Sequence, residues 1–244
     1  VKGSDHGDYI LGRNGYHWFF GGAGDDYLSP AGGENVVSAS GSILSGDAGN
    51  DRLIGGIFNP EASYATDEIW YLNSPEEVRI NLDTVSHVVG GLTVSAETAF
   101  DGWGTTDTLF SIENVRGSLF SATHVYGSSA DNVIETYLGN DILYGGAGND
   151  ILRAGGGTDF IDAGSGNDQI YIDLGGRSSV THVQGSVVVT ETTGYDDRIL
   201  AGDGDDQITS PGGYIDGGSG VDTWIWYGTG GSLQINAGAD SITD

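Results

Sequence analysis

Four aspartates recur every nine residues near the middle of the chain: Asp141, Asp150, Asp159 and Asp168. The last three follow a run of small residues rich in glycine, and Asp141 follows Gly139; glycine lets the backbone turn tightly with its carbonyls exposed. Carboxylates beside backbone carbonyls make an all-oxygen ligand set, which suits Ca²⁺ with its six to eight oxygens at about 2.3–2.6 Å. Zinc and copper would require His or Cys, and these turns contain neither. The spacing therefore predicts calcium-binding turns.

Each of these aspartates stands at the sixth position of a nine-residue unit, with an aliphatic residue two positions later. We call the positions slots 1 to 9; in residues 145–153, GGAGNDILR, slot 6 is Asp150 and slot 8 is Leu152. A short strand over slots 7–9 would send the slot-8 side chain inward and its neighbours outward. Two units then make one coil of a flattened spiral, and units two apart stack on the same side. Such fixed-period self-similarity is typical of a stacked solenoid.

The predicted fold is all-β: a parallel β-roll, or calcium-binding solenoid, in two to three blocks with antiparallel β insertions. Outside the repeats, Val78 and Ile80 belong to an alternating pattern that favours half-buried strands. A second irregular stretch is interpreted as a hairpin that turns at Gln184-Gly185. The predicted segments are a first β-roll block (1–56), a non-repeat β insertion (57–117), a second β-roll block (118–173), a β-hairpin insertion (174–191) and a third, degenerate block (192–244).

The composition favours a thin hydrophobic core and a fold whose negative charge is neutralised by cations. Glycine supplies 44 of the 244 residues, and 35 acidic residues against 8 basic ones give a net charge of −27. Such an excess repels itself in a compact state unless cations neutralise it, and it makes nucleic acid and anionic membrane surfaces poor partners. No Cys is present, which excludes a disulfide framework. No apolar run is long enough to predict a membrane span, no signal peptide is visible, and we expect the chain to be a fragment of a longer protein.

The predicted calcium ligands are the slot-6 residues and the glycines of their turns. Stacking of units two apart pairs Asp141 with Asp159 and Asp150 with Asp168, which we expect to be the strongest sites. The predicted set is Asp8, Asp26, Asn35, Asp51, Asn132, Gly139, Asp141, Gly146, Gly148, Asp150, Gly155, Gly157, Asp159, Gly164, Gly166, Asp168, Asp206, Asp222 and Asp240.

The same stacking rule ranks the remaining pairs of slot-6 residues. A pair of two carboxylates is expected to bind calcium better than a pair that lacks one charge. Asp8–Asp26 is well formed, and the pair of His17 with Asn35 is predicted to be empty. The other pairs are Asp206–Asp222 and Asp222–Asp240, with two charges each, and Asn132–Asp150 and Asn35–Asp51, each weaker by one charge.

The repeats resemble a known family. GGAGDDYLS, GDAGNDRLI, GGAGNDILR and AGSGNDQIY look like the GGxGxDxUx nonapeptides of the RTX proteins, the hemolysin-type calcium-binding repeats. The stretch DTLFSIENVRGSLF (107–120) is similar to the segment that introduces such repeats in the C-terminal region of serralysin-type secreted proteases. The resemblance implies a parallel β-roll that binds several Ca²⁺ ions between its turns. It also implies type I secretion from a Gram-negative bacterium, and so an extracellular or cell-surface location.

The resemblance does not supply an enzyme. The five histidines are scattered and none fits an HExxH helix, and no GxSxG elbow is present. We therefore expect no catalytic residues here, although a longer parent protein could carry a catalytic domain elsewhere. The first hypothesis is a structural module of a secreted protein that folds on calcium.

Two other functions remain open at this point. Tyr9, Trp18 and Tyr27 in slot 7, and Phe20 in slot 9, are predicted to face outward. They could form a carbohydrate-binding or adhesive platform attached to a polysaccharide-active enzyme, or simply pack across neighbouring strands. The chain could also be a surface-layer or filament subunit that binds copies of itself.

Overall fold

The computed structural model describes residues 1–13, 15–30, 41–56, 66–157, 159–172 and 221, together with the backbone of eight strands between residues 179 and 243. Every regular element in this part of the chain is a β-strand. Within it, no helix is long and apolar enough to cross a membrane. The chain divides into two compact units, Val1–His124 (unit 1) and Val125–Asp244 (unit 2).

Unit 1 is a two-sided parallel roll with an antiparallel excursion. On one side β1, β3, β5 and β11 pair in parallel, β10 pairs antiparallel with β11, and β7 pairs antiparallel with β10. On the other side β2, β4, β6 and β12 pair in parallel. Strands β8 and β9 form a separate antiparallel hairpin. The hairpin turns at Gly90-Gly91, whose φ angles of 56° and 81° suit glycine. The strands of unit 1 are β1 (Tyr9–Leu11), β2 (Trp18–Ala23), β3 (Tyr27–Ser29), β4 (Ile43–Ala48), β5 (Arg52–Ile54), β6 (Glu68–Trp70), β7 (Val78–Asn81), β8 (His87–Val89), β9 (Leu92–Val94), β10 (Thr98–Phe100), β11 (Thr106–Phe110) and β12 (Asn114–Arg116).

Unit 2 continues the same design with parallel strands. The odd-numbered strands β13 to β25 stack in order on one side, and the even-numbered strands β14 to β26 stack on the other. The strands are β13 (Thr123–Ser128, which begins at the division between the units), β14 (Val133–Glu135), β15 (Ile142–Ala147), β16 (Ile151–Ala154), β17 (Phe160–Ser165), β18 (Gln169–Ile172), β19 (Ser179–Gln184), β20 (Val188–Glu191), β21 (Arg198–Leu200), β22 (Gln207–Ser210), β23 (Gly213–Asp216), β24 (Thr223–Trp226), β25 (Leu233–Asn236) and β26 (Ser241–Thr243). The predicted all-β parallel β-roll is therefore confirmed.

The core of each unit consists of two columns of slot-8 side chains, one from each side of the roll. In unit 2 Leu143 pairs with Ile161, and Ile134, Leu152 and Ile170 form a second column; all are fully buried. In unit 1 the corresponding columns are Leu28–Leu53–Leu109 and Phe19–Leu44–Ile69–Val115. Full burial of each such side chain contributes about 1.5–3 kcal/mol, so the roll gains stability coil by coil rather than from one thick core.

Two segment predictions need correction. The hairpin predicted for residues 174–191 does not form: β19 pairs in parallel with β17 and β21, whereas β20 pairs in parallel with β18 and β22, in the opposite sheet. The insertion predicted for residues 57–117 is only partly an insertion, because β6, β11 and β12 are coils of the parallel roll. The antiparallel excursion comprises β7 to β10. The apolar residues of these two stretches predicted strands, but they could not identify which strands pair.

Candidate calcium sites

The slot-6 aspartates of unit 2 connect successive coils through their side chains. The backbone N–H of Asp141 donates to Oδ1 of Asp159 at 2.9 Å, and that of Asp150 donates to Oδ1 of Asp168 at 2.9 Å. The N–H of Asn132 donates to Oδ1 of Asp150 at 2.8 Å. We call such a series of bonds along one side of the roll a slot-6 ladder. The two ladders of unit 2 bring together the three pairs predicted in this block.

Unit 1 carries a ladder of four carboxylates on the side of β1, β3, β5 and β11. The N–H of Asp8 donates to Asp26 at 2.7 Å, that of Asp26 to Asp51 at 2.8 Å, and that of Asp51 to Asp107 at 3.0 Å. The first step spans 18 residues, the second 25 and the third 56. The ladder therefore tolerates coils of very different length.

A second ladder in unit 1 has mixed chemistry and corrects two predicted pairs. The N–H of His17 donates to Oγ of Ser42 at 3.2 Å, that of Ser42 to Asp67 at 2.8 Å, and that of Asp67 to Glu113 at 2.8 Å. The pairs predicted for Asn35, with His17 and with Asp51, are thus wrong, because His17 meets Ser42 and Asp51 meets Asp26. Consistent with these bonds, β2 pairs directly with β4, and β3 pairs directly with β5.

The second carboxylate oxygen of four slot-6 aspartates is buried without a hydrogen-bond partner among the described residues. Oδ2 of Asp26, Asp51, Asp150 and Asp168 accepts no hydrogen bond from the described residues, and these side chains are at most 3% exposed. An unpaired buried carboxylate oxygen costs several kcal/mol unless a cation or a proton neutralises it. Each of these positions therefore lacks a positive partner.

Glycine leaves room beside these oxygens. At slot 1, a β-carbon on Gly145 would overlap both Oδ2 of Asp150 and the carbonyl oxygen of Ala163 in the next coil. Gly21 is placed in the same way beside Oδ2 of Asp26, and its β-carbon would lie 2.8 Å from the carbonyl oxygen of Gly46. A carboxylate oxygen and a carbonyl of the neighbouring coil thus converge on a cradle that any side chain would fill.

The predicted turn glycines also lie where successive coils approach. A β-carbon on Gly164 would overlap the carbonyl oxygen of Gly146, and the same holds for Gly166 with Gly148, Gly157 with Gly139, and Gly155 with Tyr137. Gly146 and Gly164 adopt φ angles of 107° and 90°. These contacts place backbone carbonyls between the coils, where oxygen ligands were predicted.

Burial also shifts the proton affinity of the ladder carboxylates. Desolvation is the main reason why the pKa of Asp51 and that of Asp150 rise to about 7, and that of Asp168 to about 6. Neighbouring carboxylates add to the effect: Asp26 raises the pKa of Asp51, and Asp168 raises that of Asp150. Asp8 differs, because a hydrogen bond from the backbone of Ser4 lowers its pKa.

These features fit a hard, oxygen-seeking cation. Within the described ranges, no three His, Cys, Asp or Glu side chains gather into a metal cluster. A cation in the roll would therefore need backbone carbonyls in addition to the two carboxylates of each gap, which is a donor set that suits Ca²⁺ and not Zn²⁺ or Cu²⁺.

Three slot-6 acids were missed in the sequence: Asp67, Asp107 and Glu113. All are buried, and each continues a ladder. A signal was available, because each acid precedes a buried aliphatic residue by two positions, as slot 6 precedes slot 8. These aliphatic partners are Ile69, Leu109 and Val115.

A second, exposed row at slot 5 was also missed. The N–H of Asn149 donates to Oδ1 of Asp131 at 2.7 Å, and that of Asn167 to Oδ1 of Asn149 at 3.0 Å. In unit 1 the N–H of Asn50 donates to Oδ1 of Asp25 at 2.8 Å. The available signal was the Asn or Asp that stands directly before Asp26, Asp51, Asn132, Asp150 and Asp168. These residues link the coils at the surface.

Four predicted ligands lie outside the described residues: Asn35, Asp206, Asp222 and Asp240. The strands that follow the last three are in register, since Gln207 pairs with Thr223 and Thr223 with Ser241. Calcium binding by Asp206, Asp222 and Asp240 stays a prediction.

The outward-facing aromatics pack across strands. Tyr9 and Tyr27 stack with ring centroids 4.4 Å apart, and the guanidinium of Arg52 lies 5.9 Å from the Tyr27 ring. On the opposite sheet Trp18 lies 5.6 Å from Trp70 and is 49% exposed. Cross-strand packing thus accounts for part of this surface, although Trp18 keeps half of its area in solvent.

Comparison with known proteins gives one family. The sequence model of the RTX calcium-binding nonapeptide repeat matches residues 2–37, 40–59, 126–161, 135–170 and 191–213, two of these ranges overlapping, and so covers about half of the chain. The matches include the ladder positions from Asp8 to Asp51 and from Asn132 to Asp168. Proteins with such repeats are typically secreted. No curated protein matches the chain.

Proposed function

The chain belongs to the family of RTX calcium-binding nonapeptide repeats, and from this premise we propose that it is a module that folds on Ca²⁺ and then serves as a structural scaffold. The observation that carries the proposal is the set of buried, unpartnered Oδ2 atoms on Asp26, Asp51, Asp150 and Asp168. Such oxygens are tolerable in a folded protein only beside a cation or a proton.

Coupling of folding to calcium follows from charge. In the absence of a cation, the buried carboxylates of the ladders and the net charge of −27 oppose compaction. Carboxylates of successive coils, together with the turn carbonyls beside the slot-1 glycines, would hold Ca²⁺, which supplies the missing positive charge. A site at ten times its dissociation constant contributes about 1.4 kcal/mol, so several such sites make a steep switch.

The proposal extends to location and to the parent protein. A loosely packed, calcium-free chain suits passage through a type I secretion channel, and millimolar extracellular calcium would then complete its folding outside a Gram-negative cell. The module would act at the cell surface or in the medium. We assign it no catalytic role, so any catalysis by a longer protein would belong to another part of that protein.

A calcium titration followed by circular dichroism tests the proposal. In calcium-free buffer at neutral pH we expect a weak β signal with a low melting temperature, and addition of calcium should raise both cooperatively. Magnesium at the same concentration is the control, because it dehydrates reluctantly and prefers a smaller octahedral site. A full β signal without calcium, unchanged on titration, would refute the proposal.

Carbohydrate binding is a second candidate, favoured by one observation. Tyr16 and Trp18, 59% and 49% exposed, lie on the sheet face that also carries Phe20 and Trp70. Exposed aromatic rings of this kind can stack on sugars. A glycan array or an alginate titration in calcium should then give binding that Trp18→Ala abolishes. Tyr9→Ala, on the opposite sheet, is the matched control; equal binding by wild type and both variants would contradict this function.

A further inference from the structure

Asp107 differs from Asp26 and Asp51 of the same ladder, because both of its oxygens have protein partners. Oδ1 accepts the N–H of Asp51 at 3.0 Å, as the ladder requires. Oδ2 accepts the hydroxyl of Tyr71 at 2.7 Å. The Tyr71 side chain is 1% exposed and Asp107 is fully buried. The oxygen that is unpartnered in Asp26, Asp51, Asp150 and Asp168 is therefore satisfied here by a tyrosine.

The turn that leads into Asp107 is also organised by protein groups. Oδ1 of Asp101 accepts the N–H groups of Trp103 at 2.9 Å and Thr105 at 3.0 Å, and Oδ2 accepts the Thr105 hydroxyl. Asp101 is fully buried. The turn thus holds its shape through an internal carboxylate.

Asp67, on the other ladder of unit 1, shows the same pattern. Its Oδ1 accepts the N–H of Ser42 at 2.8 Å, and its Oδ2 accepts the N–H of Gly56 at 2.7 Å. Two different donors, a phenol and a backbone amide, therefore satisfy the second oxygen in the coil that contains β6 and β11.

We propose that the Tyr71 hydroxyl takes the place of a calcium ion at Asp107, so that this coil of unit 1 is held without metal. The inference rests on the proposed calcium binding of the repeats. Tyr71 then determines where the series of calcium sites in this ladder ends. The positions at Asp26 and Asp51 require the ion, and the position at Asp107 excludes it.

A pair of matched variants in the full chain tests this assignment. Asp51→Asn and Asp107→Asn both keep an oxygen for the ladder bond and both remove one charge. Calcium bound per chain, measured by equilibrium dialysis, should fall by about one ion for Asp51→Asn and remain at the wild-type value for Asp107→Asn. An equal fall for both variants would overturn the inference. Absence of calcium binding by the wild type would instead overturn the proposed function, and the inference with it.

Tyr71→Phe gives a second test. Loss of the hydroxyl leaves Oδ2 of Asp107 buried and unpaired, which should lower the melting temperature in calcium-free buffer and create a position for a cation. We expect calcium to restore more stability to this variant than to the wild type, with about one additional ion bound. Tyr144→Phe, at a surface stack with Tyr126 and Phe160, is the control. An equal loss of stability with and without calcium, at unchanged stoichiometry, would overturn the inference.

Discussion

Asp150 in unit 2 and Asp107 in unit 1 occupy the same slot and form the same ladder bond, yet their second oxygens have different surroundings. Oδ2 of Asp150 is buried without a partner beside Gly145, whereas Oδ2 of Asp107 accepts the Tyr71 hydroxyl. The comparison separates two roles of slot 6. One oxygen connects the coils, and the other decides whether the position needs a cation.

Ser42 provides a third state of the same slot. Its single oxygen accepts the N–H of His17, and its own N–H donates to Asp67. The ladder therefore persists where no carboxylate is present. The register of the coils depends on a hydrogen-bond acceptor at slot 6, whereas the proposed calcium binding depends on the charge of a carboxylate there.

The largest expected effect is that of Asp150→Ala. The substitution removes the acceptor for the N–H of Asn132 and one carboxylate of the predicted calcium gap, so we expect a loss of about 2–4 kcal/mol in saturating calcium. Urea unfolding of the full chain measures it. Asp162→Asn, a change on an outward-facing residue of β17, is the control. A loss below about 0.5 kcal/mol would show that the Asp150 ladder bond is dispensable.

Protonation should partly replace calcium. The folded-state pKa values of Asp51, Asp150 and Asp168, at about 7, 7 and 6, lie above the ordinary value near 4 because of burial. Groups with a raised pKa stabilise the fold below about pH 4 and lose that contribution as the pH rises through 6 to 7. In calcium-free buffer the melting temperature should therefore be higher at pH 5 than at pH 8.

The same experiment in calcium should show the opposite trend, since protons compete with the ion for the carboxylates. Thermal melts at both pH values, in buffer passed over a chelating resin and then with calcium, provide the comparison. A calcium-free chain that is more stable at pH 8 would contradict the role given to the buried carboxylates.

A smaller effect is expected from Asn132→Asp. Asn132 is a fully buried slot-6 residue whose Oδ1 accepts the N–H of Ser128 at 2.8 Å. A second carboxylate opposite Asp150 should tighten calcium binding about three- to tenfold and destabilise the calcium-free chain. Isothermal titration calorimetry measures the affinity. Asn140→Asp adds the same charge at an exposed slot-5 residue; equal effects of both variants would indicate a general electrostatic attraction.

The smallest effect concerns backbone strain at slot 2. Asp47 has a φ of 65° and pairs with Gly22 in the neighbouring coil, where glycine adopts 115°. Asp47→Gly should stabilise the chain by about 0.5–1 kcal/mol in urea unfolding with calcium, since glycine accepts positive φ freely. Asp47→Ala removes the same carboxylate and keeps the strain, so it should not stabilise. Equal gains from both variants would assign the effect to charge.

The sequence predicted the fold best where the period is regular. Between Asn132 and Asp168 the interval of nine residues identifies strands, inward aliphatics and neighbours at once, because each coil is two units long. Where coils change length, the same residues no longer identify their partners. Asp51 meets Asp107 across 56 residues because β7 to β10 intervene, and no local pattern encodes that distance.

The Tyr71 contact was equally hidden. Tyr71 stands 36 residues before Asp107 in the sequence, and only the return of the chain to the roll brings its hydroxyl to that carboxylate. The period of the sequence can reveal a repeated ligand residue, but it cannot show at which copy another side chain takes the place proposed for the ion. Residues that fall outside the repeat frame therefore need the three-dimensional structure.

The unequal steps of the unit 1 ladder have an evolutionary consequence. Steps of 18, 25 and 56 residues all end in the same amide-to-carboxylate bond, so the length of chain between two rungs is free to vary. Only the short stretch from the slot-1 glycine to the slot-8 aliphatic residue is fixed. An insertion between rungs leaves every other coil undisturbed, as the β7–β10 excursion shows. Such a roll can acquire new segments, one loop at a time, without a new core.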